Sequence, residues 1–141
     1  MGSTIGDAMG CPTEFLSMAQ ITEQYGPQGV SDYVLFREEH GTRFGPYTDD
    51  NQMAEGVSRG LLENHQQLDA AMNAIATRFI EWEARPQGGH RAPGRACLEG
   101  CQRLAAGSAW SEAGGSNAGG CGSVMRAYPF GLFFFNDVNK A

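Results

Sequence analysis

The sequence predicts an all-α fold. Three observations carry that expectation. Apolar residues recur at helical spacing through most of the chain, strand-like patterning is confined to one short run, and the glycine-rich stretches fall between the periodic segments. The first periodic segment opens at Thr48-Asp49-Asp50 and sets Met53, Ala54, Val57, Leu61 and Leu62 on one stripe. The second carries Leu68, Ala71, Met72, Ile75, Phe79 and Trp82 at the spacing of an amphipathic helix, and Arg85-Pro86-Gln87-Gly88-Gly89 stops it. A third helix takes Pro93 in its first turn, where a missing N–H costs nothing, and buries Cys97, Leu98, Cys101, Leu104 and Ala105 before Gly107 ends it. A short fourth helix starts near Ser123 and is kinked or broken at Pro129. Tyr33-Val34-Leu35-Phe36 is the one β-like run, and residues 1–4 give no helix of their own. The segment 136–141 reads as the turn into a further helix. An apolar stretch at 130–135 needs partners to cover it, so residues 1–141 are expected to be a portion of one domain.

Composition excludes several classes. The chain has 141 residues, and a chain this long buries about 68–70% of its unfolded surface, enough for a core. An apolar content of 41% with eight Phe and two Trp excludes a disordered tail. Ten basic against 16 acidic side chains give a charge of −6, which argues against a nucleic-acid surface. No apolar stretch is long enough for a membrane span, the densest (Tyr128 to Phe135) being interrupted by Pro129 and Gly131. The N-terminus lacks a basic region leading into an apolar one, so no secretory signal is read there. Cys11, Cys97, Cys101 and Cys121 form no Cys-x-x-Cys pair and only three His accompany them, which disfavours a zinc site. Reduced thiols in a cytoplasmic protein are expected.

Three polar constellations admit both a structural and a chemical reading. Gly6-Asp7-Ala8-Met9-Gly10-Cys11-Pro12-Thr13-Glu14-Phe15 is either a solvated turn or a close backbone approach flanked by two carboxylates. Gly45-Pro46-Tyr47-Thr48-Asp49-Asp50 is a good helix start, with an N-cap hydroxyl and acids that suit the helix dipole. It also gathers hard oxygen donors of the kind Mg²⁺ or Mn²⁺ prefers. The stretch from Gly114 to Arg126 is either a flexible loop or a glycine turn whose backbone N–H groups hold a phosphate. It is neither a Walker A loop nor a dinucleotide fingerprint.

Taken together and in order, these residues resemble the ADP-ribosylglycohydrolase family. The matching pieces are GDAMGCPTEF (6–15), GPYTDDNQMA (45–54), RAPGRACLEG (91–100) and GGCGSVMRAYPFGL (119–132). The resemblance implies an all-α bundle with a pair of Mg²⁺ or Mn²⁺ ions. The implied reaction is hydrolysis of the glycosidic bond between ADP-ribose and an acceptor, and the implied partner is ADP-ribose or an ADP-ribosylated protein or small molecule. By position, Thr48, Asp49 and Asp50 match the first cluster of metal ligands. Glu14 matches a glutamate that reaches the metal centre and has a gating or an acid/base role, so Glu14, Asp49 and Asp50 are the implied catalytic residues. Asn117, Ala118, Gly119, Gly120, Cys121, Gly122 and Ser123 resemble the loop that wraps ribose and diphosphate.

Two departures stand out. Asn51 follows the aspartate pair where Thr is common, and no Asp-x-Asp occurs anywhere, although the family completes its metal centre with such a motif. The resemblance is therefore to the N-terminal part of the family domain, apparently truncated, and weak or absent hydrolysis is expected of these residues alone. The alternative is a non-catalytic member that binds ADP-ribose or serves structurally. A generic helical interaction domain is the third reading. Because ADP-ribose is anionic and the chain acidic, binding must rely on local fields from cations and backbone amides.

Overall fold

The structure, a computed structural model, describes residues 1–115, 117–137 and 139, so Ser116, Val138, Lys140 and Ala141 of the segments discussed above lie outside the described residues. The chain divides into two compact units, Met1–Thr48 and Asp49–Ala141. Helices dominate, as the sequence predicts, and the described strands are those of one small hairpin.

In the first unit, α1 spans Gly2–Gly10 and runs into a 3-10 turn at Cys11–Thr13, and α2 spans Met18–Tyr25. Helix α1 corrects the expectation for residues 1–4. Its propensity is poor, but Ala8 is buried and Asp7 anchors it to a distant backbone, so tertiary contact overrides local preference. Helix α2 begins with a capping box, in which the Ser17 hydroxyl and the Gln20 side chain each satisfy the other residue's backbone N–H. Gly26, at φ +81°, ends it.

The hairpin pairs β1 (Arg37–Glu39) with β2 (Thr42–Phe44), Arg37 opposite Phe44 and Glu39 opposite Thr42. It does not use Tyr33-Val34-Leu35-Phe36 as a strand. The determinant is the two-residue turn, where His40 and Gly41 both take positive φ (52° and 77°), the twist that a tight hairpin requires.

In the second unit, α3 (Asp49–Glu63) packs on α4 (Leu68–Ala84) and α6 (Tyr128–Phe133), and α4 packs on α5 (Arg95–Ala105). Val57, Leu61, Ala71 and Ile75 form one buried cluster; Met53, Trp82, Cys97 and Cys101 form another, and Phe79 touches both. Gly60 lets α3 and α4 approach closely, since a Cβ there would lie 2.6 Å from Ile75 Cγ1 and 2.7 Å from its backbone nitrogen. Leu62 is exposed, because it sits about 100° around the helix from Leu61 and leaves the α4-facing stripe. Leu68 and Ala105, at helix ends, are exposed as well.

Pro93 lies outside α5, whose N-cap is Gly94. Gly107, at φ +94°, closes α5 as predicted. Residues 123–127 form turns rather than helix, and α6 begins at Tyr128 with Pro129 buried in its first turn. Pro129 therefore starts the helix instead of breaking it, because a first-turn N–H has no intrahelical acceptor to lose.

Candidate functional site

Thr48 ends the first unit and Asp49 opens α3 in the second, and the backbone N–H of each has its own partner. In the first unit, the Thr48 N–H donates to both carboxylate oxygens of Asp7, at 3.1 and 3.0 Å. This bond ties α1 to the segment that ends at Thr48. In the second unit, the Asp49 N–H donates to the Arg91 carbonyl at 3.1 Å, so an orphan amide of the first helical turn finds an acceptor in the α4–α5 connection. One turn further, Gln52 Nε2 donates to the carbonyls of Gln87 and Gly89, and Trp82 Nε1 donates to Gln52 Oε1 at 3.1 Å. The Tyr128 hydroxyl donates to Asn51 Oδ1 at 3.2 Å. Asn51, the departure from the usual Thr, thus accepts a bond from the start of α6.

Thr48 and Asp49 are buried, 7% and 6% exposed, and Asp50 is half-buried. An ionised carboxylate is costly to withdraw from water, and an ordinary solvated cap incurs no such cost. The helix dipole offsets part of it. The donor chemistry at residues 48–50, one hydroxyl and two carboxylates, fits Mg²⁺ or Mn²⁺. Among the described residues, no group of three or more His, Cys, Asp or Glu could by itself hold a metal ion.

Glu14 follows the 3-10 turn of the first unit and is exposed, its backbone N–H donating to the Cys11 carbonyl. In the second unit, Asn117, Ala118, Gly119, Gly120, Cys121 and Ser123 are exposed and Gly122 is half-buried. The Ala118 N–H donates to the Gly115 carbonyl and the Val124 N–H to the Cys121 carbonyl, so this stretch is a succession of turns. No helix N-terminus directly follows it. Gly122 is needed for packing, because a Cβ there would lie 3.1 Å from Cys97 Sγ.

Sequence reasoning gave no role to Asp7, Arg91 or Tyr128. Asp7 acts on a residue 41 positions away, so no local spacing points to it, although it lies within the first motif. Arg91 supplies a backbone carbonyl to the Asp49 N–H, a role that any residue type could fill.

The chain is helix-rich, with an acidic, buried helix entrance and a glycine-rich turn segment. The chain belongs to the ADP-ribosylglycohydrolase family, which it matches over residues 1–141. An uncharacterized protein of Archaeoglobus fulgidus is 28% identical to it over 140 residues, which cover 99% of this chain and 43% of that protein. The chain thus spans less than half the length of that relative. No solved structure matches it. Among the described residues, no helix is long and apolar enough to cross a membrane.

Proposed function

We propose that this chain carries the front part of a metal-dependent site that hydrolyses the glycosidic bond between ADP-ribose and an acceptor. Thr48, Asp49 and Asp50, with Glu14, would hold Mg²⁺ or Mn²⁺. When bound, such ions supply Lewis acidity for the ribose hydroxyls and an oriented water. The chain's own residues do the rest. Asp7 and the Arg91 carbonyl fix the backbone that carries the ligands. Glu14 would take the proton of the water whose oxygen bonds to the anomeric carbon, or deliver the proton that the acceptor atom gains as its bond to that carbon breaks. The small residues of Asn117–Ser123 let backbone N–H groups approach the ribose and diphosphate.

The observation that carries this reading is the burial of Thr48 and Asp49 at a helix entrance in a chain that matches the hydrolase family throughout. Calorimetry with ADP-ribose tests it. Binding that requires Mg²⁺ and is lost in Asp49→Asn supports the reading, whereas binding indifferent to the cation sinks it. The second reading is a non-catalytic member that binds ADP-ribose without cleaving it or serves structurally. The two separate on turnover. These 141 residues are expected to hydrolyse ADP-ribosyl bonds slowly or not at all, and robust Mg²⁺-dependent turnover would exclude the second reading.

A further inference from the structure

The second unit encloses a partly open cavity of about 320 Å³ among α3, α4, α5 and the segment leading into α6. Its walls are chiefly apolar, with Met53, Val57, Ile75, Phe79, Leu104 and Phe130 contributing. Among the described residues, one cation lines it. Arg126 is half-buried, its Nη1 donates to Met53 Sδ at 2.9 Å and Cys97 Sγ at 3.3 Å, and its guanidinium carbon lies 5.2 Å from the Phe79 ring centre. Among the described residues, no carboxylate lies in ion-pair range of it. Thioether and thiol sulfurs are weak acceptors, so the guanidinium is partly withdrawn from water without a partner of matching strength.

We propose that this cavity binds a small organic anion with an apolar body, a medium-chain carboxylate, whose carboxylate pairs with Arg126 while its chain lies along the aliphatic and aromatic wall. A carboxylate exchanges the sulfur contacts for charge-assisted hydrogen bonds to a planar guanidinium. The volume sits at the lower end of the range for small-molecule pockets, about 300–1,000 Å³. A sugar diphosphate, polar along its whole length, gains nothing from such walls. The assignment thus differs in ligand from the hydrolase reading, although Gly114, Ser123 and Arg126 of the glycine-rich segment line the cavity.

The test titrates the whole chain with octanoate and, separately, with 1-octanol, by calorimetry. Octanoate is expected to bind about tenfold more tightly than the alcohol, and Arg126→Met to erase that preference. Gly100→Leu supplies a second variant should Arg126→Met fail to fold. A Cβ at Gly100 would meet only the Ala113 carbonyl oxygen, at 3.5 Å, so the larger side chain has room to enter the cavity. It is expected to abolish octanoate binding with the helical circular-dichroism signal intact. Removing divalent cations with EDTA leaves octanoate binding unchanged. Equal affinity for acid and alcohol, full binding by Gly100→Leu, or displacement of octanoate by ADP-ribose would overturn the proposal.

Discussion

Cys101 and Cys121 show how differently one unit can treat the same side chain. Cys101 is almost wholly buried, and that burial pushes its thiol up from 9.0 to about 11, with Arg126 pulling in the opposite direction. Cys121 is exposed. Thiolate is the nucleophile, so iodoacetamide at mildly alkaline pH is expected to label Cys121 before Cys101, as peptide mass spectrometry will read. The same shift has a consequence for stability. The folded chain keeps the Cys101 proton where the unfolded chain has lost it, so this contribution is complete below about pH 9 and is lost as pH rises through about 11. Urea midpoints should fall across that window, and Cys101→Ala should flatten the fall. At the α3 entrance, Asp7→Ala strips both acceptors from the Thr48 N–H. It is expected to cost about 1–3 kcal/mol, read as a lowered melting temperature; no loss would mean that Asp7 does not position Thr48. The oxygen-donor triplet was legible because its residues are consecutive. The bonds within each unit were not, because Asp7 meets Thr48 from 41 positions away and the Arg91 carbonyl meets Asp49 across the length of α3 and α4.

Among the elements, the crossing of α3 and α4 is where one methyl group decides most. Gly60→Ala places a Cβ against the Ile75 backbone, which cannot move aside as a flexible side chain would. The substitution is expected to destabilise by about 1–3 kcal/mol despite the better helix propensity of Ala. Gly6→Ala, in α1, meets nothing within 4 Å and should stabilise by up to about 1 kcal/mol. Urea unfolding of the two variants checks the opposite signs, and equal effects would mean that no close approach exists at Gly60. Helices α3, α4 and α5 could be read from the sequence because each buries a stripe repeating at the helical period. Helix α1 could not, because its poor formers are held by a remote anchor. Helix α2 carried a readable signal, the Ser17-to-Gln20 capping box, that hydrophobic periodicity alone passes over. The hairpin was hidden for a related reason: its strands, Arg-Glu-Glu and Thr-Arg-Phe, are largely polar, and the His40-Gly41 turn rather than alternation specifies them.

At the scale of the whole molecule, net charge constrains how an anionic substrate can be held. On the proposed function, a formal charge of −6 would repel ADP-ribose at long range, so its binding would act at contact distance, through backbone amides and bound cations. Contact interactions within a partly buried site are screened far less than fields between exposed charges, whose range is about 10 Å at 0.1 M salt. With Mg²⁺ kept saturating, raising NaCl from about 50 to about 200 mM is therefore expected to change ADP-ribose affinity by less than about threefold. A protein that grips phosphates with a distributed basic surface behaves differently, losing about 10³–10⁵ in affinity over that interval when it makes several phosphate contacts. Calorimetry at the two salt concentrations separates the cases. A steep loss would show that a spread of Arg and Lys side chains does the binding, leaving Asp49 and Asp50 with a structural task. A flat response that vanishes on chelation would assign the attraction to cations seated at the start of α3, where an acidic chain can present positive charge without being basic.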